Sequence, residues 1–329
     1  MENKKASLVY ILKILKEESD ENHFLTQQQI SDLIYKHFSI RLERKAISRS
    51  LLLLEELGYD VNKNKGGGYA LFARQFDDSE IQYLIDAIFS SKSIAGKEAE
   101  KLCEEISQDL SKYKRKDFSY LNKNFDVNRT QNRAVFYNID LISEAIKNKK
   151  QISFQYLIYD ENGKLCLKRD GWRNKGFSPY YLINNFGRYY LIGSSFRFDS
   201  ITCLRVEFMT NIEIQEYDAK PKVDVLGRNF SISKYINEHV YTFGGKVITA
   251  EIKIYDEHVI HDLFDWFGKN VKISKKSDLT TAKIKANENA FFYWCLQYGH
   301  DIEVLTPIEL RQKVIDELNH MLEKYKANV

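Results

Sequence analysis

The sequence is poor in cysteine and proline and has no long hydrophobic run. Its four cysteines lie far apart and form no C-x-x-C pair, which excludes a disulfide framework and indicates reduced thiols in a cytoplasm. No apolar run reaches the roughly 18 residues of a membrane-spanning helix, so we expect no membrane contact. Near the N-terminus, Lys13 and Lys16 interrupt the apolar stretch, which predicts an amphipathic helix and not a signal peptide.

Strong net charge and catalytic motifs are also missing. The formal net charge is only +3, so any nucleic-acid contact must come from a local patch. No phosphate-binding loop, G-x-S-x-G, H-E-x-x-H or dinucleotide fingerprint occurs. His258 and His261 share a helix face without a clear third ligand, which favours a solvated face over a metal site. We therefore expect no enzyme, metal or cofactor, although dispersed catalytic residues would leave no such motif.

Hydrophobic periodicity predicts three helices and a hairpin in the first 73 residues. The helices cover residues 7–18, a segment starting at Thr26 and residues 42–57. Thr26 and Gln29 form a T-x-x-Q capping box at the start of the second helix. A glycine-rich turn at 62–68 then separates two short strands. Elements of these lengths predict a winged helix-turn-helix at residues 1–73.

The third helix and the hairpin tip are basic. Lys45, Ser48 and Arg49 recur at helical spacing on the outer face, where Lys and Arg can neutralise phosphates and Arg can bind guanine. A lone basic helix would favour a merely solvated face, but the neighbouring helix and basic wing favour a double-stranded DNA operator. The candidate DNA-binding residues are Gln28, Arg41, Arg44, Lys45, Ser48, Arg49, Lys63 and Lys65.

Residues 74–137 are predicted to form a helical linker or dimerisation region. Asp77 and Glu80 make a second capping box, a further helix covers about 96–113, and residues 112–116 form a basic, polar break. The apolar stripes of these helices must pack on the winged helix, on each other or on a second copy. We expect a homodimer, because two-fold regulators read two-fold sites, with an intrachain spacer as the alternative.

An aromatic stretch around Pro179, one of only three prolines, lies at the centre of the next region. Residues 180–183 and 189–192 are predicted strands, with residues 184–187 as a four-residue hairpin loop. A short helix before them and further strands around them, including 202–208, give about five antiparallel strands. This order predicts an SH3- or Sm-like β-barrel at residues 138–220.

The last region, residues 221–329, alternates between strand and helix periods. From Val247 onward the pattern predicts a β-α-β-β-α-β-α order. The final helix carries an apolar stripe at Leu310, Val314, Leu318, Met321, Leu322 and Tyr325. The fold class is therefore α+β and multidomain, with this α+β unit as the C-terminal extension.

The aromatic stretch resembles the WYL domain, which is named for a Trp-Tyr-Leu run on a strand. Here the run is Tyr189-Tyr190-Leu191. The next strand of the family carries a Phe-Arg-Leu-Asp-Arg-Ile-like run; here Arg205 keeps the first arginine and Phe208 replaces the second. The histidine often found after the motif is replaced by Phe196, with Arg197 beside it.

The flanking regions extend the resemblance to nearly the whole chain. The E-E-L-G-Y and G-G-G-Y-x-L patterns at residues 55–71 are similar to the winged helix that precedes WYL domains. Residues 292–325 resemble the extension that follows them. The chain thus resembles a bacterial WYL-domain transcriptional regulator. The resemblance implies a cytoplasmic DNA-binding protein whose WYL domain senses a ligand, and it suggests a nucleic acid or nucleotide as that ligand.

The resemblance implies that arginines hold phosphate and tyrosines stack on bases. The candidate ligand-binding residues are Ser178, Tyr180, Arg188, Tyr190, Arg197 and Arg205. Alternatively, the tyrosines are barrel core and the arginines form surface salt bridges with Asp199, Glu207 or Glu213. Two other functions stay open: a regulator whose WYL domain only mediates dimerisation or protein contact, and a nucleic-acid-binding accessory to a DNA- or RNA-processing system.

Overall fold

The computed structural model describes residues 6–118, 129–168, 173–198, 200–239 and 244–326. They belong to two compact units, residues 1–135 and 136–329. Within the described ranges, no helix is long and apolar enough to span a bilayer. In the same ranges, no three His, Cys, Asp or Glu side chains gather as a metal-binding group.

The first unit begins with three helices and a two-stranded hairpin. Their bounds are α1 (Ala6–Glu18), α2 (Gln27–Phe38), α3 (Arg44–Glu56), β1 (Val61–Lys63) and β2 (Tyr69–Leu71). The capping box of α2 is confirmed: the Gln29 backbone N donates to Thr26 Oγ1 (3.3 Å), and the Thr26 backbone N donates to Gln29 Oε1 (2.8 Å). One core joins these elements, and its largest fully buried side chains include Ile11, Leu15, Ile30, Ile34, Ile47, Leu51 and Leu54.

Three more helices follow, α4 (Asp78–Ser90), α5 (Gly96–Ser107) and α6 (Lys112–Phe118). The second capping box is present at the start of α4, where the Asp77 backbone N donates to Glu80 Oε2 (2.9 Å). Helices α4 and α5 cover each other's apolar stripes through Ile81, Ile85, Phe89, Cys103 and Leu110.

The prediction of a polar break at residues 112–116 is wrong, because these residues form α6. The Ser111 hydroxyl accepts a hydrogen bond from the Lys114 backbone N (3.2 Å) at the start of the helix and donates one to the buried Asp20 carboxylate (2.6 Å). The cations of α6 pair with acidic residues at the end of α1 or just after it: Lys112 with Glu18, Lys114 with Glu21, and Arg115 with Glu17. Tyr113 also stacks on His23, with ring centroids 3.5 Å apart, so partners distant in sequence stabilise a short and strongly basic segment.

Arg74 donates hydrogen bonds to backbone oxygens of two segments, the end of α1 and the residues before α6. Its Nη1 donates to the carbonyls of Lys16 (2.8 Å) and Asp109 (2.7 Å), and its Nη2 donates to the carbonyl of Ser19 (2.7 Å). The end of α1 and the segment before α6 are thus held by one guanidinium, which satisfies carbonyls that a helix end leaves without partners.

The second unit begins with a curled, six-stranded half-barrel sheet, preceded by α7 (Val135–Lys147). Its strands are β3 (Lys150–Tyr159), β4 (Leu165–Leu167), β5 (Asn174–Asn185), β6 (Arg188–Ser195), β7 (Ile201–Arg205) and β8 (Met209–Asp218). The order is β4-β3-β5-β6-β7, and β8 also pairs with β3. Register shifts in the ladders of β3 with β5, β3 with β8 and β5 with β6 let the sheet bend.

The turn between β5 and β6 is shorter than predicted. Asn185 pairs with Arg188, so only Phe186 and Gly187 connect the strands, and the prediction of a four-residue loop is wrong. Both residues have positive φ, 49° for Phe186 and 70° for Gly187. Two successive positive φ values fit a type I′ turn, whose twist matches that of the flanking strands.

Strand β7 also ends earlier than predicted. It stops at Arg205, and Val206–Phe208 form a 3-10 turn instead of continuing the strand to residue 208. Because the turn breaks the alternation of the strand, Glu207 is buried with 1% of its surface exposed.

Two short helices, α8 (Lys222–Leu226) and α9 (Ile232–Glu238), lead to a second sheet. The predicted β-α-β-β-α-β-α order is confirmed, with β9 (Val247–Ile254), α10 (Val259–Phe267), β10 (Val271–Lys276), β11 (Leu279–Asn287), α11 (Glu288–Gln297), β12 (Ile302–Thr306) and α12 (Ile308–Lys326). The antiparallel strand order β10-β11-β9-β12 is that of a ferredoxin-like unit. Of the stripe on α12, Leu310 is buried and the residues from Leu318 onward are exposed.

Candidate nucleic-acid interface and arginine cluster

A cleft of about 390 Å³ lies between the N-terminal ends of α2 and α3 and the hairpin tip. It brings Gln28, Arg44 and Lys63 of the predicted set together. The neutral part of its lining includes Thr26, Gln27, Ser31, Gly66, Gly67 and Tyr69. Two cations at the mouth of a polar cleft give an arrangement that can receive phosphate groups.

Gln27, which the sequence did not single out, organises the start of α3. Its Oε1 accepts a hydrogen bond from Arg44 Nε (2.9 Å), and its Nε2 donates to Ser48 Oγ (2.9 Å). The Ser48 hydroxyl in turn donates to the Arg44 carbonyl (3.1 Å). The pairing depends on how α2 crosses α3, so no local signal in the sequence could have found it.

The remaining predicted residues lie on the same elements. Lys45 and Lys65 are exposed, and Arg49 Nε donates to the Lys45 carbonyl (3.3 Å). The guanidinium of Arg41, between α2 and α3, lies 4.8 Å from the centroid of the Tyr35 ring. In addition, Gln28 Nε2 donates to Asp32 Oδ1 (2.9 Å), and Lys63 Nζ lies 5.4 Å from the Tyr69 ring centroid.

In the second unit, Arg188 and Arg205 share one carboxylate. Arg188 begins β6 and Arg205 ends β7, where it pairs in register with Tyr190. Glu207 Oε1 accepts hydrogen bonds from Arg188 Nη1 (2.8 Å) and from Nε (2.8 Å) and Nη2 (2.6 Å) of Arg205. Burial raises the pKa of the Glu207 carboxyl, and Arg205 opposes that rise. The alternative of a salt bridge to Glu207 therefore describes these arginines, but the carboxylate is buried and not on the surface.

The Phe208 ring lies against the guanidinium group of Arg205. The guanidinium carbon lies 4.3 Å from the centroid of the Phe208 ring, within the range of a cation–π contact. Tyr156 and Tyr159 meet the same ring edge-on at 5.9 and 5.7 Å, and burial raises the pKa of Tyr156 to about 12. The resemblance predicts a second arginine at position 208, and in this chain an aromatic ring at that position contacts Arg205 instead.

The other predicted ligand residues lie away from this cluster. Ser178 is fully buried, accepts a hydrogen bond from the Lys220 backbone N (3.0 Å) and pairs with Ser194. Ser194 is about 13 Å along β6 from Tyr190, at about 3.3 Å per residue. Tyr180, 2% exposed, lies at that same end, and the exposed Arg197 follows the last residue of β6. The structure therefore brings together Arg188, Tyr190 and Arg205, and not all six.

The strand face that carries Tyr190 is packed against the segment after the sheet. Tyr181 and Tyr190 join a cluster with Phe230 and Tyr235, and the rings of Tyr181 and Phe230 stack at 5.8 Å. These contacts favour the interpretation of the tyrosines as core. The arginines differ, because the Arg188 and Arg205 side chains keep 26% and 31% exposure and, with Glu207, carry a net charge of +1. Such a cluster can bind an anion.

Comparison with known proteins identifies two domains in the second unit. The profile of the WYL domain matches residues 137–214, and that of the WCX domain matches residues 246–322. No curated protein matches the chain.

Two solved structures are similar to this chain over nearly its full length. Proteasome accessory factor B/C (PafBC) of Arthrobacter aurescens is 13% identical with a TM-score of 0.29, covering 98% of this chain and 49% of that chain. The chain thus spans about half the length of PafBC. A CRISPR Cas-related protein is 14% identical with a TM-score of 0.38, covering 98% and 86%. TM-scores this low establish neither a common arrangement nor a common activity, whereas the profiles show that the chain contains a WYL domain followed by a WCX domain.

Proposed function

We propose that the protein is a DNA-binding transcriptional regulator whose WYL domain senses an anionic ligand. In this proposal, α1–α3 and the hairpin act as a winged helix-turn-helix on a double-stranded operator, and the protein acts as a homodimer. The observation that carries the proposal is the cleft between α2, α3 and the hairpin tip, with Arg44 and Lys63 in its lining.

The geometry suits duplex DNA for two reasons. Gln27 holds the Arg44 side chain at the N-terminal end of α3, the part of a recognition helix that meets base edges in the major groove. Exposed Lys45 and Arg49 follow on the same helix, and Lys65 lies at the hairpin tip, where each can neutralise a phosphate.

Footprinting on the DNA upstream of the protein's own gene tests this proposal. We expect a protected site and weaker binding of the Lys45→Ala/Arg49→Ala variant. The slope of log K against log salt concentration should become less steep by about 1.8, because two phosphate contacts are lost. Lys97→Ala/Lys101→Ala removes an equal charge from the exposed face of α5 and serves as the control. Equal affinity for random duplex would favour a general nucleic-acid-binding accessory.

For the WYL domain, the ligand class that fits the arginines is a phosphate-bearing nucleotide or nucleic acid. One observation favours a second role: Arg188 and Arg205 are already bound by Glu207, so the domain could be a dimerisation or protein-contact module alone. The Arg205→Ala variant separates the two, and Arg197→Ala, which lies outside the cluster, is its control. A sensor loses its effector response while operator binding persists, whereas a structural module keeps both.

A further inference from the structure

The sheet of the WCX domain consists of β9–β12 and is called the WCX sheet. One of its faces is covered by helices, and the other carries several lysines. Ala250, Ile252 and Ile284 are buried in the core on the helix side. The alternating residues of the strands therefore point to the opposite face. On β10 and β11 these are the exposed Lys272, Ser274, Lys276 and Lys283, with Thr281 partly buried.

The register places two of these lysines side by side. Lys272 pairs directly with Lys283, and the next pair on this face is Ser274 with Thr281. Like charges in directly opposite positions destabilise a sheet. Glu251 offsets the repulsion only in part, since its Oε2 lies 3.7 Å from Lys283 Nζ on the side away from Lys272. This pair of lysines does not stabilise the fold, but a bound polyanion would neutralise their two charges.

Lys272, Lys276 and Lys283 line a cleft of about 380 Å³ together with Ser274, Thr281, Glu251 and the apolar residues Ile273, Leu279 and Leu305. The two hydroxyls can donate to phosphate oxygens, and their small side chains leave room above the strands. Tyr255, which follows the last residue of β9, is 59% exposed, but Lys253 Nζ lies 4.5 Å from its ring centroid and its hydroxyl donates to Glu303 Oε2 (2.6 Å).

We propose that this lysine face binds the phosphate backbone of single-stranded nucleic acid. Lys272, Lys276 and Lys283 neutralise phosphates, and the bases lie against the small side chains of Ser274 and Thr281. A flexible single strand can follow an open sheet in this way, whereas a stiff duplex reaches only its rim. The site is separate from both the duplex-binding surface and the arginine cluster of the proposed function.

Fluorescence polarisation with a labelled, mixed-sequence single-stranded oligonucleotide tests the site in the full chain. The background carries Lys45→Ala/Arg49→Ala, so that the first unit contributes little. We expect Lys272→Gln/Lys283→Gln to weaken binding and to lower the salt slope of log K by about 1.4, at about 0.7 per phosphate contact. Its melting temperature will not fall, because the substitution removes a like-charge pair and no buried group.

Lys275→Gln is the control, and it removes one positive charge where the double variant removes two. Lys275 lies on the same strand but pairs with Glu257 near the start of α10, and its substitution should leave binding unchanged. Equal binding by the double variant and the control would overturn the proposal. If Arg205→Ala weakens oligonucleotide binding and the lysine variant does not, the single-stranded nucleic acid binds at the arginine cluster instead. Equal affinity of the parent for a duplex of the same sequence would refute the ligand class. Operator binding with Lys45 and Arg49 intact is measured separately, so either proposal can fail alone.

Discussion

Replacing Glu207 by glutamine removes the negative charge that Arg188 and Arg205 share, and we expect opposite effects on stability and on anion binding. Three hydrogen bonds of 2.6–2.8 Å end on one oxygen of this carboxylate. Glutamine keeps the shape and an acceptor oxygen but not the charge. Both guanidinium groups stay in place, so the cluster changes from a net charge of +1 to +2.

The loss of stability follows from burial. Removing one partner of a fully buried ion pair costs about 3–5 kcal/mol. Here the arginines keep 26% and 31% exposure, and water can replace part of the lost interaction. Glutamine retains an acceptor, and it also avoids the burial cost of the charge that raises the pKa of the Glu207 carboxyl. We therefore expect a cost of only about 1 kcal/mol, or about 2–4 °C in melting temperature for a unit of this size.

The gain in anion binding follows from the same charge. Removing a negative charge a few ångströms from a bound phosphate strengthens binding by about 1 kcal/mol after screening, which is about fivefold in affinity. Thermal unfolding of the full chain, with and without inorganic phosphate or a short oligonucleotide, measures both effects. The ligand should raise the melting temperature of Glu207→Gln more than that of the parent at equal concentration.

Glu213→Gln is the control for this experiment. Glu213 pairs with Arg173 at 2.8 Å, but its side chain is 64% exposed, so the pair contributes only about 0–1 kcal/mol. If Glu207→Gln and the parent have the same melting temperature, the shared carboxylate does not stabilise the fold. If the ligand raises both melting temperatures equally, the two arginines are not where the anion binds.

Two further predictions concern packing and titration. A Cβ added in Gly193→Ala would overlap the Phe177 ring and the Ser178 carbonyl, so we expect a loss of about 3 kcal/mol in urea unfolding, whereas Gly96→Ala, with open space around it, should be tolerated. Burial acts to raise the pKa of Asp20, but hydrogen bonds from Ser111, His23 and Asn22 lower it below its ordinary 3.8. The carboxylate therefore stabilises the fold fully above about pH 4 and less as the pH falls further. The stability difference between the parent and Asp20→Asn should shrink as the pH falls below about 4, and a constant difference there would contradict this assignment.

Elements whose signals are local could be predicted from the sequence. The capping box of Thr26 and Gln29 involves neighbours in the chain, and so does the second box at Asp77. The strand and helix order from Val247 onward was equally clear, because each element alternates with its own period between buried and exposed positions.

Features that depend on distant partners could not be predicted. Residues 112–118 are mostly basic, and their partners are acidic side chains and the His23 ring, roughly 90 residues earlier. The turn at Phe186 lacks the Asn-Gly signal of its type, so a longer loop was the natural interpretation. Likewise, the pattern predicts a strand to residue 208 and gives no local signal for the 3-10 turn after Arg205, which contains the buried Glu207.

The ion pairs between α1 and α6 affect how a DNA-binding fragment should be cut from this chain. Truncation after residue 73 would leave Glu17, Glu18 and Glu21 without the cations of α6 and would delete Arg74 together with its three backbone bonds. Three uncompensated carboxylates would also repel the phosphates that α3 and the hairpin are proposed to attract. A fragment that keeps both its stability and its electrostatic field therefore has to extend through Phe118.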